Sequence, residues 1–453
     1  MAAILRANPS LRRLLAAWLQ SCLGTGAGYV ALLLLTLRYI HTSWAVPAVL
    51  LADFVPAIAL GALFGALADR HSRRLLVVVA NLLQAAAWGG LAFAHTAAPI
   101  LALAVLAGVG NALQRPAMRA ALPVVAGDAR QVAAAWYDTC RWLGITVGPA
   151  LAAALFAISG LALPLALNGL SFLVAAGAIS TLAIERPASS GRHEERPGAG
   201  VREGLSIAFA APAVAAVIAC SAAAVISGGL LNVCEPLLAR NVLHGSASDY
   251  ALLVACYGAG MVTGSVLVAR RGDAGAPAII RRYLASLLLS GLGMGASAIV
   301  GSVAPATIAF AATGYANALL VVSETQLIQL RVPNAVQGRL FGAKDTLEGA
   351  FYLVGLIGAG VLVATAGVRL TLATGAGLYG ICTLAGVAAL RPLSRRRASD
   401  RVLSGIFETD PALVIAATYE ATRRFDPAAA AAVLAEVPVE DAQAGLAPVP
   451  PPL

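Results

Sequence analysis

Residues 161–184 read LALPLALNGLSFLVAAGAISTLAI, and Glu185 to Glu203 read ERPASSGRHEERPGAGVRE. The first stretch carries no charged group over a length that, as a helix, crosses a hydrocarbon core of about 30 Å. The second holds four Arg, four Glu and two Pro among several Gly, the composition of a flexible linker. Outward from this boundary the apolar pattern recurs. On the N-terminal side the runs fall at 14–37, 44–67, 75–95, 98–118 and 131–157 before 161–184. On the other side they fall at 206–234, 249–269, 283–303, 305–329, 342–366 and 368–390. The reading is an all-α membrane protein of twelve transmembrane helices in two six-helix bundles.

The whole chain agrees. Of 453 residues 59% are hydrophobic and 12% charged, half the charge needed to cover a water-exposed surface. A soluble multidomain protein, a disordered chain and a secreted disulfide scaffold are excluded. The six cysteines lie in or beside apolar runs without metal-ligand spacing and read as free thiols. Leu19-Gln20-Ser21-Cys22 loosely matches a lipoprotein cleavage site, but the apolar run continues to Leu37. That is too long for a signal segment, and it reads as an uncleaved first span.

Net charge is +9, and of 31 basic residues only Lys344 is not Arg. No basic stripe interleaved with aromatics points to nucleic acid. The arginines orient the protein instead. Arg6, Arg12, Arg13, Arg70, Arg73, Arg74, Arg119, Arg130, the linker arginines, Arg270, Arg271, Arg281, Arg282, Arg331, Arg339 and the 391–401 cluster share one set of span ends. The other set holds little beyond Arg38, Arg240 and Arg369. The rule that basic loops stay inside places the first set and both termini in the cytoplasm.

The halves repeat. Gly108-Val109-Gly110-Asn111-Ala112-Leu113 aligns with Gly314-Tyr315-Ala316-Asn317-Ala318-Leu319 at an offset of 206. Asp138, Gly148 and Gly160 align with Asp345, Gly355 and Gly367 at 207. Six spans per half make the repeat parallel, which puts a substrate site between the halves near midplane. The expected division is 1–184, a linker at 185–203, 204–392 and a soluble cytoplasmic tail at 393–453, whose role is not readable.

Between spans two and three stands Gly65-Ala66-Leu67-Ala68-Asp69-Arg70-His71-Ser72-Arg73-Arg74. It resembles the signature loop of the major facilitator superfamily, Gly-x-x-x-Asp-Arg-x-Gly-Arg-Arg, with Ser72 in place of the second Gly. Gly65 would let a neighbouring helix approach. By the resemblance Asp69, Arg70, Arg73 and Arg74 form a latch that closes the cytoplasmic face in one state; a purely topogenic loop is the alternative. Gly144-Ile145-Thr146-Val147-Gly148-Pro149 is similar to the bend motif of that superfamily's exporters, with Ala152-Ala153 replacing its final Gly-Gly. The resemblance covers about residues 10–392 and is strongest to bacterial drug, macrolide and siderophore exporters. It implies the major facilitator fold and a multi-pass protein of the bacterial inner membrane.

Charges inside spans are costly and point to function. Asp53, Asp138, Glu324 and Glu348 are the candidate proton-coupling acids, Glu324 and Asp138 foremost; Glu235 and Asp345 also fall in or beside spans. Asp138 and Arg141, three apart, alternatively pair along one helix face. Asp53 and Glu324 show no local partner, and Asp53 alternatively sits solvated near the outer surface. Arg115 is a cavity charge or a snorkelling interfacial residue. No metal pair of histidines, phosphate loop, nucleophile elbow or HExxH occurs, so no enzyme, cofactor or ATP-driven step is expected. The expected function is export of an amphipathic small molecule by proton antiport with alternating access, by a monomer whose partners are substrate, protons and membrane lipids. A sensor or scaffold acting through the tail, and a lysophospholipid-type flippase, are the alternatives.

Overall fold

The computed structural model describes residues 8–182, 212–270, 275–330, 332 and 334–395. The expected linker, and the expected tail from 396 onward, lie outside the described residues. The described chain is helical throughout: α1 (Pro9–Tyr39), α2 (Ala45–Arg70), α3 (Arg73–Leu91), α4 (Ala97–Ala126), α5 (Arg130–Ser159) and α6 (Ala162–Ser180) form one half. The other half is α7 (Pro212–Leu237), α8 (Ala247–Arg270), α9 (Ala276–Ile299), α10 (Val303–Gln329) and a long segment, Asn334–Arg395. That segment breaks at Gly367, whose φ of 79° no helix contains, into α11 (334–366) and α12 (368–395).

The twelve spans expected from the apolar runs are therefore the twelve helices described. Bounds shift most at the end of α4, Ala126 and not 118, and at the start of α11, Asn334 and not 342; α9 begins at Ala276 and not near 283. Arg281 and Arg282 lie inside its first turns, and Arg282 donates to Ser323 Oγ (2.7 Å) and Gln326 on α10. Partners on a neighbouring helix satisfy a charge that hydropathy alone would leave outside. Arg369 similarly donates to the carbonyls of Ala298 and Val300, capping the end of α9. Facing outward are large apolar side chains such as Phe93 and Ile299, each 79% exposed. Such faces suit lipid, where no hydrophobic penalty attaches to them.

The repeat is visible in packing. A β-carbon at Gly108 would strike the Asp53 carbonyl, and one at Gly314 the Tyr257 carbonyl, so α4 meets α2 as α10 meets α8. At Gly148 it would fall 2.6 Å from Gly26 Cα, and at Gly355 3.1 Å from Gly229 Cα, so α5 meets α1 as α11 meets α7. Gly160 and Gly367 both adopt positive φ, at 69° and 79°, and both end the helix that the repeat pairs. Only glycine takes that conformation without a steric penalty.

The halves touch along two seams, α2 with α11 and α5 with α8. The Trp44 ring packs on Gly360, and the Phe54 and Tyr352 rings meet at 4.7 Å. Thr146 packs on Gly258, and Ser248 Oγ donates to the Ala153 carbonyl at 3.5 Å. These contacts occupy the middle of the bundle and the end bearing the 40–44 turn. Toward the other end, added β-carbons at Gly61, Gly65 and Gly342 would find nothing within 4 Å among the described residues. The close approach expected at Gly65 is thus not made in this arrangement, because α2 and α11 have parted there. Six turns stand at the closed end, at 40–44, 92–96, 160–161, 243–246, 300–302 and 367.

Candidate functional site

On the first half, Asp53 lies in α2 above Pro56, with its backbone against Gly108 and its residue only 8% exposed. It is buried, not solvated at the surface. Among the described residues it makes no hydrogen bond or ion pair, and Tyr29, Arg115 and Tyr352 lie within electrostatic reach. Arg115 owes its direction to its neighbour. Gln114 is buried and held on α3 by bonds with Gln84 (2.7 Å) and Asn81 (3.3 Å). One residue on, about 100° round the helix, Arg115 turns from α3 toward α1, α2 and α5. It is nonetheless exposed.

Asp138 and Arg141 of α5 are both exposed, and among the described residues no ion pair joins them. The Arg141 guanidinium lies 5.0 Å from the centre of the Trp142 ring instead. The intrahelical pairing expected from their spacing is therefore not formed. Helix five runs unbroken through Pro149, with Gly144 against the Cys22 backbone and Gly148 against Gly26.

On the second half, Glu324 has no partner on its own helix among the described residues, as expected, but one reaches it from α11. Lys344 Nζ of α11 lies 3.2 Å from Glu324 Oε1 on α10 and 2.6 Å from Glu348 Oε1 one turn along. Two of the four candidate acids thus share one cation. Sequence reasoning passed over Lys344, although a lone lysine among arginines, four residues before a glutamate, was a signal. It also left Glu235 of α7 out of the coupling set. Glu235 is 7% exposed, without hydrogen bond or ion pair among the described residues, and Tyr250, Tyr257 and Tyr352 lie within electrostatic reach. Asn232 donates to the Tyr352 hydroxyl and Asn317 to that of Tyr257, both at 2.7 Å. Tyr352 stands between the halves, in reach of Asp53 on one side and Glu235 on the other.

Of the loop residues, Ser72 caps α3 by accepting from the Leu75 N–H at 3.4 Å, which accounts for serine in place of glycine. Arg73 is half-buried, and Arg74 donates to the Leu182 carbonyl at 3.5 Å. The side chains of Asp69 and Arg70 lie outside the described residues. All six cysteines are free and five are buried; among the described residues no cluster of metal-ligating side chains occurs.

The sequence pattern of the Major Facilitator Superfamily matches residues 14–343. The chain is 25% identical over 356 residues to the putative bacilysin exporter BacE of Bacillus amyloliquefaciens, covering 77% of this chain and 87% of the relative. To macrolide efflux protein A of Enterococcus faecalis it is 22% identical over 232 residues, 49% of this chain and 71% of the relative. Its fold resembles an inward-facing bacterial homologue of the iron transporter ferroportin, with TM-score 0.67, 16% identity, and 86% and 99% of the two chains covered. It also resembles an inward-facing bacterial homologue of the lysosomal transporter Spinster, with TM-score 0.63, 15% identity, and coverage of 86% and 98%.

Proposed function

The chain belongs to the major facilitator superfamily of membrane transporters, and from that premise we propose that it exports an amphipathic small molecule by proton antiport. The observation that carries the reading is the shape of the contact between halves, closed at one end and parted at the other, with acids on the helices around the gap. Such a contact can rock about its two seams, exposing a central site to each side in turn. The arginine distribution supports placing the parted end in the cytoplasm, which makes this an inward-open state in a bacterial inner membrane. Relatedness to exporters supports the outward direction.

Coupling requires acids that load and unload protons as the gap changes sides. Asp53, buried on α2, and the Lys344-bridged Glu324 and Glu348 are placed to do so, with Asp138 on the exposed side of α5. The loop from Gly65 to Arg74 latches the cytoplasmic end when it closes, and the glycines of α5 keep that helix tight on α1 as a rigid unit. The test is pH-gradient-driven efflux of amphipathic dyes in everted vesicles, with D53N, D138N, E324Q and E348Q made singly. At least one variant should lose gradient-driven efflux and keep downhill exchange. Parent rates in all four would leave a facilitator or a non-transport role.

A further inference from the structure

We propose that the first half of the gap holds an anion site, formed by Arg115, Arg119 and Arg141, and that the cargo is an amphipath with an acidic headgroup, a carboxylate or a phosphate. This rests on the transporter reading and names its substrate class. Arg115 and Arg119 lie four apart on α4, on one face, and Arg141 of α5 is within electrostatic reach of Arg115. Tyr137, stacked on Trp18 at 4.6 Å and bonded through its carbonyl to the Trp18 indole at 3.0 Å, anchors that part of α5 on α1. It lies within electrostatic reach of all three arginines.

All three are exposed, yet Arg115 is in reach of groups on α1, α2 and α5. Exposed side chains among helices on several sides line a cavity, not a lipid-facing surface. Among the described residues none of the three makes an ion pair or hydrogen bond. Among the described residues, Asp53 is an acid within electrostatic reach of Arg115. Asp138, one turn before Arg141, does not pair with it. Three guanidinium groups thus converge with one buried carboxyl among them, and like charges at four-residue spacing repel. An arrangement with more positive than negative charge among the described residues is completed by a ligand that brings the counter-charge, and guanidinium groups match carboxylate and phosphate by paired hydrogen bonds. Across the gap, Lys344 is already bridged by two glutamates, so that lysine is not left for an anionic ligand. The headgroup therefore docks on α4 and α5, and the apolar body extends toward the other half.

The experiment uses the full-length protein in phosphatidylcholine vesicles and three probes sharing one fluorophore: anionic dansyl-glutamate, neutral dansylamide and cationic dansylcadaverine. Tryptophan-to-dansyl energy transfer reads binding, aided by Trp18 beside Tyr137 and Trp142 beside Arg141. The parent should prefer dansyl-glutamate to dansylcadaverine by about tenfold or more. R115Q and R141Q should each erase most of that preference while leaving dansylamide affinity unchanged, and R141K should retain part of it. Equal affinity for the three probes in the parent overturns the proposal, even if the arginine variants fail to fold, and so does an anion preference that survives in R115Q/R141Q. Adding phosphatidylglycerol separates the sources. Competition that depends on Arg115 assigns the site to a lipid headgroup, and its absence to a free organic anion. Efflux under a pH gradient is scored separately. Arginine-dependent binding without efflux sinks the exporter reading alone, and efflux without anion preference sinks the anion site alone.

Discussion

Replacing Lys344 by glutamine isolates the energetics of the only lysine in the chain. Its ammonium is 3.2 Å from Glu324, whose side chain is 5% exposed, and 2.6 Å from Glu348, whose side chain is 26% exposed. At an effective dielectric constant of about 20, attraction across 3.2 Å is about 5 kcal/mol. Desolvating each ion costs several kcal/mol, so the intact pair is close to balance. Removing one partner alone is different, because the buried carboxylate keeps its desolvation cost without compensation, a loss of about 3–5 kcal/mol. The Glu348 contact is a partly solvated pair four residues apart and is worth only about 0.3–0.5 kcal/mol. K344Q should therefore lower stability severely, E348Q barely, and K344Q/E324Q should recover most of the loss. The coupling between Lys344 and Glu324 should be at least about 2 kcal/mol. Heating the detergent-purified proteins while following exposure of the buried thiols Cys220 and Cys382 measures it. If K344Q and K344Q/E324Q unfold together, or E348Q costs as much as K344Q, the electrostatic account of this cluster is wrong.

G148A should destabilise by about 1–3 kcal/mol through overpacking against Gly26, whereas G65A should be neutral or gain up to about 1 kcal/mol of helix propensity; thermal unfolding of both compares them, and equal damage would contradict the parted end of α2. T146C with G258C, in a background lacking the native cysteines, should cross-link the halves on oxidation and halt transport until reduced, since the β-carbons would lie about 3.3 Å apart. Undiminished transport by the cross-linked form would exclude rocking at that seam. D69N should reduce transport more than it reduces the amount of protein in the membrane, measured side by side; transport at the parent rate would leave the loop a topogenic role. Reporter fusions at Arg196 and at the C-terminus should both read cytoplasmic, and an external signal from either overturns the orientation.

Much of the fold was legible because hydropathy and glycine act locally. The apolar runs gave twelve spans, and the matched pairs Gly108/Gly314, Gly148/Gly355 and Gly160/Gly367 carried the repeat, since each glycine is required by one backbone contact or one dihedral angle. The site was less legible, because partners there depend on how helices are rotated about their axes. Glu324 and Lys344 are twenty residues apart on different helices, and no periodicity relates them. Asp138 and Arg141 have the spacing of a pair, yet Arg141 turns to the Trp142 ring. Gly65 illustrates a third obstacle, since its neighbour depends on which end of the bundle is closed.

The six turns at the closed end contain between one and five residues each. That face offers almost no chain for a protease to cut, an antibody to grasp or a partner protein to recognise. Nor is there any loop long enough to act as a lid, so opening there must come from motion of whole helices. Any protein that tunes the transporter has to approach from the opposite end of the bundle. Under the orientation and export direction proposed above, whatever regulates the flow of cargo would sense the compartment from which the cargo is drawn.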